Sequence, residues 1–382
     1  MSPFINPAVH CMSPFIVMEV LEKAKAMEAQ GISVIHLEVG EPDFELPACV
    51  ADATHMAVNN GHTHYTHSLG DIELRKAICD LYKEEYNVGV DPECIVITSG
   101  SSAAILLALM TVCGANDEVI LSNPGYACYG NFVLACNAVP TYVPVNDTHG
   151  FQFNISDIQK SITERTRAII VNSPMNPTGT LVSDEVFQQL ATIGIPIISD
   201  EIYHGLVYEG RARSVLEFTN NAIVVNGFSK RFAMTGLRLG YIIAPKPYIR
   251  SMQILQQNLF ICAPSIAQQA GIAALKESSE DVERMKKIYN ERRVYAIQRL
   301  KNMGFGIKAE PQGAFYIFCD ARKFTNNSYQ FAFDVLEHAH VGITPGVDFG
   351  TLGEGFVRFS YANSLEKIKE GMDRLEKYLK TI

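Results

Sequence analysis

Six short β-branched runs, at 94–98, 118–121, 168–171, 195–199, 222–225 and 241–244, constrain this chain more than any other feature, because most are apolar at every position. A strand with one wet face alternates apolar and polar residues. One that is apolar throughout is buried on both faces, as in a sheet held between two layers of helices. Helical stretches separate the runs, which is the spacing of crossover connections, so the sequence predicts an α/β central domain.

The two ends of the chain read differently. Ser13-Pro14 is a helix-start pair, and the helix expected over 14–31 carries Ile16, Val17, Val20, Leu21, Ala24 and Met27 on one stripe. Residues 1–12 read as an arm. A long helical region is expected at 267–303, then strands at 314–319 and 355–360 and a charged amphipathic helix from 365 to the end, together a smaller α+β unit. With 382 residues, 47% of them hydrophobic, the chain is long enough for two domains. The division expected is a large domain at 46–284 and a small one assembled from 13–45 and 285–382. No repeat, low-complexity tract or Gly/Ser/Pro-rich linker interrupts this plan.

The formal charge is −9 with Lys and Arg dispersed, which argues against nucleic acid or an anionic membrane as partner and leaves small molecules. Nine scattered cysteines without a C-x-x-C pair read as reduced thiols, hence a cytoplasmic protein. The first residues lack a basic segment followed by an apolar one, and even 103–113 is too short to span a bilayer.

Four segments follow predicted strands and carry chemistry. Thr98-Ser99-Gly100-Ser101-Ser102-Ala103 opens an apolar helix and reads alone either as a serine N-cap or as an anion nest. Asn172-Ser173-Pro174-Met175-Asn176-Pro177-Thr178-Gly179 is either a rigid turn or a loop that holds the Asn176 amide in place. Ser199-Asp200-Glu201-Ile202-Tyr203 ends a strand in carboxylates, which must find a partner or water. Ser229-Lys230-Arg231 with Arg238 supplies a hydroxyl, an amine and guanidinium groups in one loop. All four stand at strand ends, where α/β sheets bind ligands, and together they describe a cofactor site.

Over nearly the whole chain the sequence resembles the class I and II aminotransferases, the fold-type I enzymes of pyridoxal 5'-phosphate. The likeness rests on these four segments, on Leu37-Glu38-Val39-Gly40-Glu41-Pro42-Asp43-Phe44, on Tyr65-Thr66 with Gly70 and Leu74-Arg75, and on Pro345-Gly346-Val347-Asp348-Phe349-Gly350 with Val357-Arg358-Phe359-Ser360-Tyr361-Ala362. It implies a large domain with a seven-stranded, mixed, mostly parallel sheet, a smaller α+β domain, and a homodimer with shared active sites. It implies transfer of an α-amino group from an L-amino acid to a 2-oxo acid by a ping-pong mechanism.

The resemblance also implies roles. Lys230 would be the Schiff-base lysine and proton-transfer base, and Asp200 would face the pyridine nitrogen, where a carboxylate about 3 Å away contributes roughly 5 kcal/mol of gross attraction before desolvation. Tyr203 and Asn176 would bond the ring's phenolic oxygen. Ser101, Ser102, Ala103, Ser229 and Arg238 would hold the phosphate, and Tyr65 would reach the phosphate of the neighbouring subunit. Tyr126 would stack on the ring, although Gly125 stands where the family usually has an aromatic residue. Arg358 would take the substrate carboxylate, helped by Gly40 and Asn176. Groups such as Phe15 and Ile16 would face the substrate side chain.

Blander readings stand beside these: Lys230 as a surface lysine, and Arg358 as a structural ion-pair partner. The same fold also admits a β-eliminating C–S lyase or a non-catalytic binder of the cofactor. No metal site is expected, since His62, His64, His67, His338 and His340 lack cysteine or carboxylate company. Gly304-Phe305-Gly306 imitates a dinucleotide fingerprint without the strand and helix it needs.

Overall fold

The computed structural model describes residues 7–382, so the first six residues of the expected arm lie outside the described part. Strand β1 (Ile35–His36) comes first. The central sheet follows with β2 (Ile95–Thr98), β3 (Glu118–Asn123), β4 (Val139–Pro144), β5 (Thr166–Asn172), β6 (Ile197–Asp200), β7 (Ala222–Gly227) and β8 (Gly240–Ile243). Their order is β2-β8-β7-β6-β5-β3-β4, and β8 alone runs against its neighbours. This is the mixed, mostly parallel sheet expected.

Alternate residues of the central strands feed two cores. Ile97, Ile120, Val171, Ile197 and Val224 face one layer of helices, and Val96, Leu121, Ile170, Ile198 and Val225 face the other. All are buried, and each stabilises the fold by about 1.5–3 kcal/mol through the apolar surface it removes from water. β4 carries no all-apolar run and lies outside the six expected strands. It is a half-exposed edge strand carrying Pro140 and Pro144, and proline is tolerated at an edge because no further strand waits for its missing N–H.

Two helix expectations need correction. The first long helix is Ile16–Glu28, and Ser13 does not cap it. The Ile16 and Val17 N–H groups donate to the Asp348 carboxylate at 2.9 and 3.2 Å, while the Ser13 backbone pairs with the Asn131 side chain. A remote carboxylate thus does the work of a local hydroxyl. The region 267–303 is two helices, Ser265–Glu277 and Ser279–Met303, broken where the Ser278 hydroxyl donates back to the Ala274 carbonyl at 2.6 Å.

The chain ends meet through β9 (Tyr316–Asp320), β10 (Val341–Gly342), β11 (Thr344–Pro345) and β12 (Phe356–Ser360). β1 pairs with β10 in parallel, and β11-β12-β9 form a small antiparallel sheet. Helix Leu365–Leu379 closes over them with Ile368, Met372 and Leu375 buried, its Gly371 against Ile35 and Leu37. No helix among the described residues is long and apolar enough to cross a membrane, and the nine cysteines are all free.

Candidate active site

β2, β3, β5, β6 and β7 end along one edge of the sheet, and β8 begins there. The register sets Asn172 beside Asp200 and brings Thr98 and Gly227 against Gly240. Gly240 has to be glycine, since a Cβ would lie 2.6 Å from the Gly100 carbonyl carbon. Gly100, at φ +86, caps helix Ser101–Val112 without any side-chain bond, which corrects the reading of a serine N-cap and leaves first-turn N–H groups facing outward. The Arg238 guanidinium lies where a side chain on residue 100 would point, 2.5 Å from the position of its Cβ.

A cavity of about 230 Å³ opens at this edge. Of the residues singled out in the sequence, Gly40, Ser101, Ser102, Tyr126, Asn176, Asp200, Tyr203, Lys230 and Arg358 line it. Ala103 and Ser229 are buried beside it, Arg238 stands at its rim against Gly100, and Tyr65 is 80% exposed on the surface.

The Lys230 amine donates to the Gly40 carbonyl at 2.7 Å, and burial pushes its pKa down to about 8, with Arg358 and Arg238 adding to the effect against the pull of Glu41. Gly40 is held in place by a close approach: a Cβ there would overlap the Tyr316 hydroxyl. Burial pushes the Asp200 carboxyl up to about 6, held back by the Tyr129 hydroxyl at 2.7 Å, the Ile202 N–H at 3.1 Å and the positive Lys230. Glu201, next in sequence, does not line the cavity. It takes bonds from Ser199, Ser214, Val215 N–H and Tyr82 in a buried network.

Arg358 is 2% exposed, lies over Tyr316 at 4.3 Å, and donates to the Asn176 side-chain oxygen at 2.9 Å and to the Glu38 carbonyl and Thr344 hydroxyl. Among the described residues its buried Nε has no hydrogen-bond partner. No carboxylate pairs with it among the described residues, so the reading of a structural ion pair fails. Asn172 Oδ1 accepts from the Asn176 N–H at 2.7 Å and fixes that loop, and the Tyr203 and Tyr316 hydroxyls meet at 2.8 Å. Tyr126 packs edge-on against both Tyr129 and Phe15. Gly125 is required by the turn, since a Cβ would sit 2.6 Å from Ser122 Oγ.

Sequence reasoning gave no role to Tyr129, Tyr316 or Asn172. Tyr129 lies in helix Cys128–Ala135, just after the turn that carries Tyr126, and its N–H donates to the Tyr126 carbonyl at 3.1 Å. Tyr316 lies in an all-apolar run with nothing polar nearby to mark it.

The donor set suits a flat, phosphorylated pyridine aldehyde. A buried carboxylate forms no ion pair among the described residues, an amine has its pKa brought down to about 8, a helix start without a side-chain cap carries two serines with a guanidinium beside it, and a buried Nε has no partner among the described residues.

Comparison with known proteins agrees. Residues 32–375 match the family described as aminotransferase class I and II. The chain is 41% identical over 96% of its length to (5-formylfuran-3-yl)methyl phosphate transaminase of Methanocaldococcus jannaschii, covering 96% of that protein. It is 39% identical to the aspartate aminotransferase of Pyrococcus horikoshii, with 98% and 97% of the two chains covered. A solved structure from Methanococcus jannaschii, described as similar in its active site to kynurenine aminotransferases, superposes with a TM-score of 0.92 at 39% identity, covering 98% of this chain and 100% of that one. The chain therefore belongs to the class I and II aminotransferases, and is a pyridoxal-phosphate enzyme that transfers an α-amino group from an L-amino acid to a 2-oxo acid by a ping-pong mechanism.

Proposed function

We propose that Lys230 carries the cofactor and is the base of the transfer, in a homodimeric cytoplasmic enzyme. The observation that carries this is one cavity holding an amine whose pKa is lowered by burial, a buried carboxylate and a buried guanidinium nitrogen without a partner among the described residues. When bound, pyridoxal phosphate supplies an electron-withdrawing ring that weakens the bonds at the substrate's Cα.

The chain's own residues do the rest. With the cofactor bound, Asp200 would face the ring nitrogen and keep it protonated. Tyr203 and the Asn176 amide would bond the phenolic oxygen, and Tyr126 would stack on the ring. Ser101, Ser102, the Ala103 N–H, Ser229 and Arg238 would hold the phosphate at the helix start. Arg358, with Gly40 and Asn176, binds the α-carboxylate and so turns the Cα–H bond toward Lys230. With a pKa near 8, the free amine takes that proton at neutral to mildly alkaline pH, where an ordinary lysine would be almost fully charged.

Tyr65 serves the site of the second copy, a reading supported by its exposure and its setting. The Thr66 N–H beside it contacts Cys262 Sγ, and the neighbouring Leu259 and Ile261 are half exposed, an apolar surface of the kind a partner covers. The large domain is 46–284 and the small one 13–45 with 285–382, the cavity lying between them.

Borohydride reduction followed by peptide mass analysis tests the central assignment. The cofactor adduct is expected on Lys230, and Lys230→Ala should carry none and lose turnover by orders of magnitude. An adduct on another lysine would sink the assignment.

A further inference from the structure

We infer that this aminotransferase selects amino acids with large uncharged, apolar or aromatic side chains, and that the first turn of helix Ile16–Glu28 makes the selecting wall. The inference rests on the assignment of Arg358 to the α-carboxylate and deepens it. Once Lys230, Asp200, Asn172, Asn176 and Arg358 are given to the reacting centre, Ser101 and Ser102 to the phosphate and Tyr126 to the ring, the remaining wall is apolar or aromatic. It consists chiefly of Phe15, Val17, Met18, Val39 and Ile105. Among the described residues lining the cavity, the cationic side chains are Lys230 and Arg358, and both are committed.

A second carboxylate, as on aspartate or glutamate, would meet no counter-ion from this chain's own lining residues, and burial disfavours an unpaired charge strongly. A phenyl or branched aliphatic group would gain from the same surface. Space is available too. A second cavity of about 510 Å³ adjoins the first and shares Phe15, Tyr126 and Tyr129 with it, and Leu121, Leu134 and Tyr142 add apolar surface there. Phe15, half-buried and edge-on to Tyr126 at 6.1 Å, stands as the partition. The wall is held by the Asp348 cap on Ile16 and Val17, so its position is set rather than loose. Both half-reactions use one cavity, and the oxo acid follows the same rule.

Single half-reactions of the holoenzyme, followed by cofactor absorbance without any acceptor, test the selection. Phenylalanine and leucine should exceed aspartate and glutamate in rate over half-saturation by about tenfold or more. In calorimetry, 3-phenylpropanoate should bind about tenfold more tightly than succinate. Phe15→Ala should raise the ratio of tryptophan to leucine by about fivefold or more as the partition opens. Equal or better use of aspartate or glutamate would overturn the selection while leaving Lys230 and Arg358 in their roles, as would tighter binding of succinate or an unchanged ratio in Phe15→Ala. If no amino acid reacted, the assignment of the reacting centre would fall, and the ratio of the two binding constants would still decide the nature of the wall.

Discussion

Burying the Asp200 carboxylate is unfavourable until a cation comes to face it, and the groups around it set by how much. Its pKa of about 6 is a compromise between desolvation and the two hydrogen bonds from Tyr129 and Ile202. On the role proposed for Asp200, Tyr129 is a positioning residue, donating to Oδ2 while the Ile202 N–H donates to Oδ1. Tyr129→Phe removes a hydrogen bond to a charged acceptor, so the carboxyl should protonate more easily. The acid limb of the pH–rate profile should move up by roughly one pH unit, with little change above pH 8. A limb that stayed in place would show that Tyr129 only fills space. Asp200→Ala should slow Cα deprotonation more than it weakens amino-acid binding, and equal single-turnover rates would contradict its role.

Lys230 gives a prediction of opposite sign. Its free amine is the reactive form and its pKa is depressed, so the apoenzyme should capture pyridoxal phosphate faster as pH rises from 6.5 toward 8 and level off above about 8. Stopped-flow absorbance would register it, and a rise that continued to pH 10 would mean an ordinary, solvated lysine. At this scale the sequence showed residues that sit in motifs and hid residues that act through them. Lys230 and Asp200 come from a compact loop and a strand end with a recognisable spacing, and Arg358 from the V-R-F-S run in the middle of β12. Tyr129 and Tyr316 matter only because the fold brings them to Asp200 and Tyr203, from 71 and 113 residues away.

The elements that hold the wall of the cavity are fixed from a distance. Helix Ile16–Glu28 begins where Asp348 accepts two N–H groups, and the turn carrying Asp348 also supplies Phe349, which packs 5.0 Å from the Arg358 guanidinium. One carboxylate thus ties the first turn that lines the cavity to the surroundings of Arg358. Asp348→Ala should cost about 0.5–2 kcal/mol, the usual range for a lost cap, seen as a lower urea midpoint. It should also raise KM more than it lowers kcat, because the first turn that frays is the one facing the substrate. An unchanged midpoint would mean that water replaces the cap without loss. No local pattern announces such a cap, since the residues it joins are more than 300 positions apart. The strands were legible because burial on both faces writes itself into every position. The edge strand β4 was not, because half-exposed backbone with two prolines looks like a loop.

At the scale of the whole molecule, the parallel order with one reversed strand follows from connections that return each chain segment to the same edge. This gathers Thr98, Asn172, Asp200 and Gly227 on one side although they are spread over 130 residues. The pairing of β1 with β10 is beyond reach of periodicity, since strands of two residues leave no period to read. Tyr65 stands outside the cavity of its own chain, 80% exposed, and the Cys262 that Thr66 contacts is followed back along the chain by half-exposed Ile261 and Leu259. If Tyr65 completes the site of a second copy, as proposed, inactivating changes should complement each other across the proposed dimer. A Lys230→Ala protomer lends an intact Tyr65 to a Tyr65→Ala protomer, whose own Lys230 is intact. Mixing the two variants under conditions that exchange subunits should therefore restore one working site per hybrid dimer, about a quarter of wild-type activity for equal amounts at random assortment. If Tyr65 instead served its own protomer, every hybrid would contain one site without lysine and one without tyrosine, and mixing would recover nothing beyond the average of the two variants.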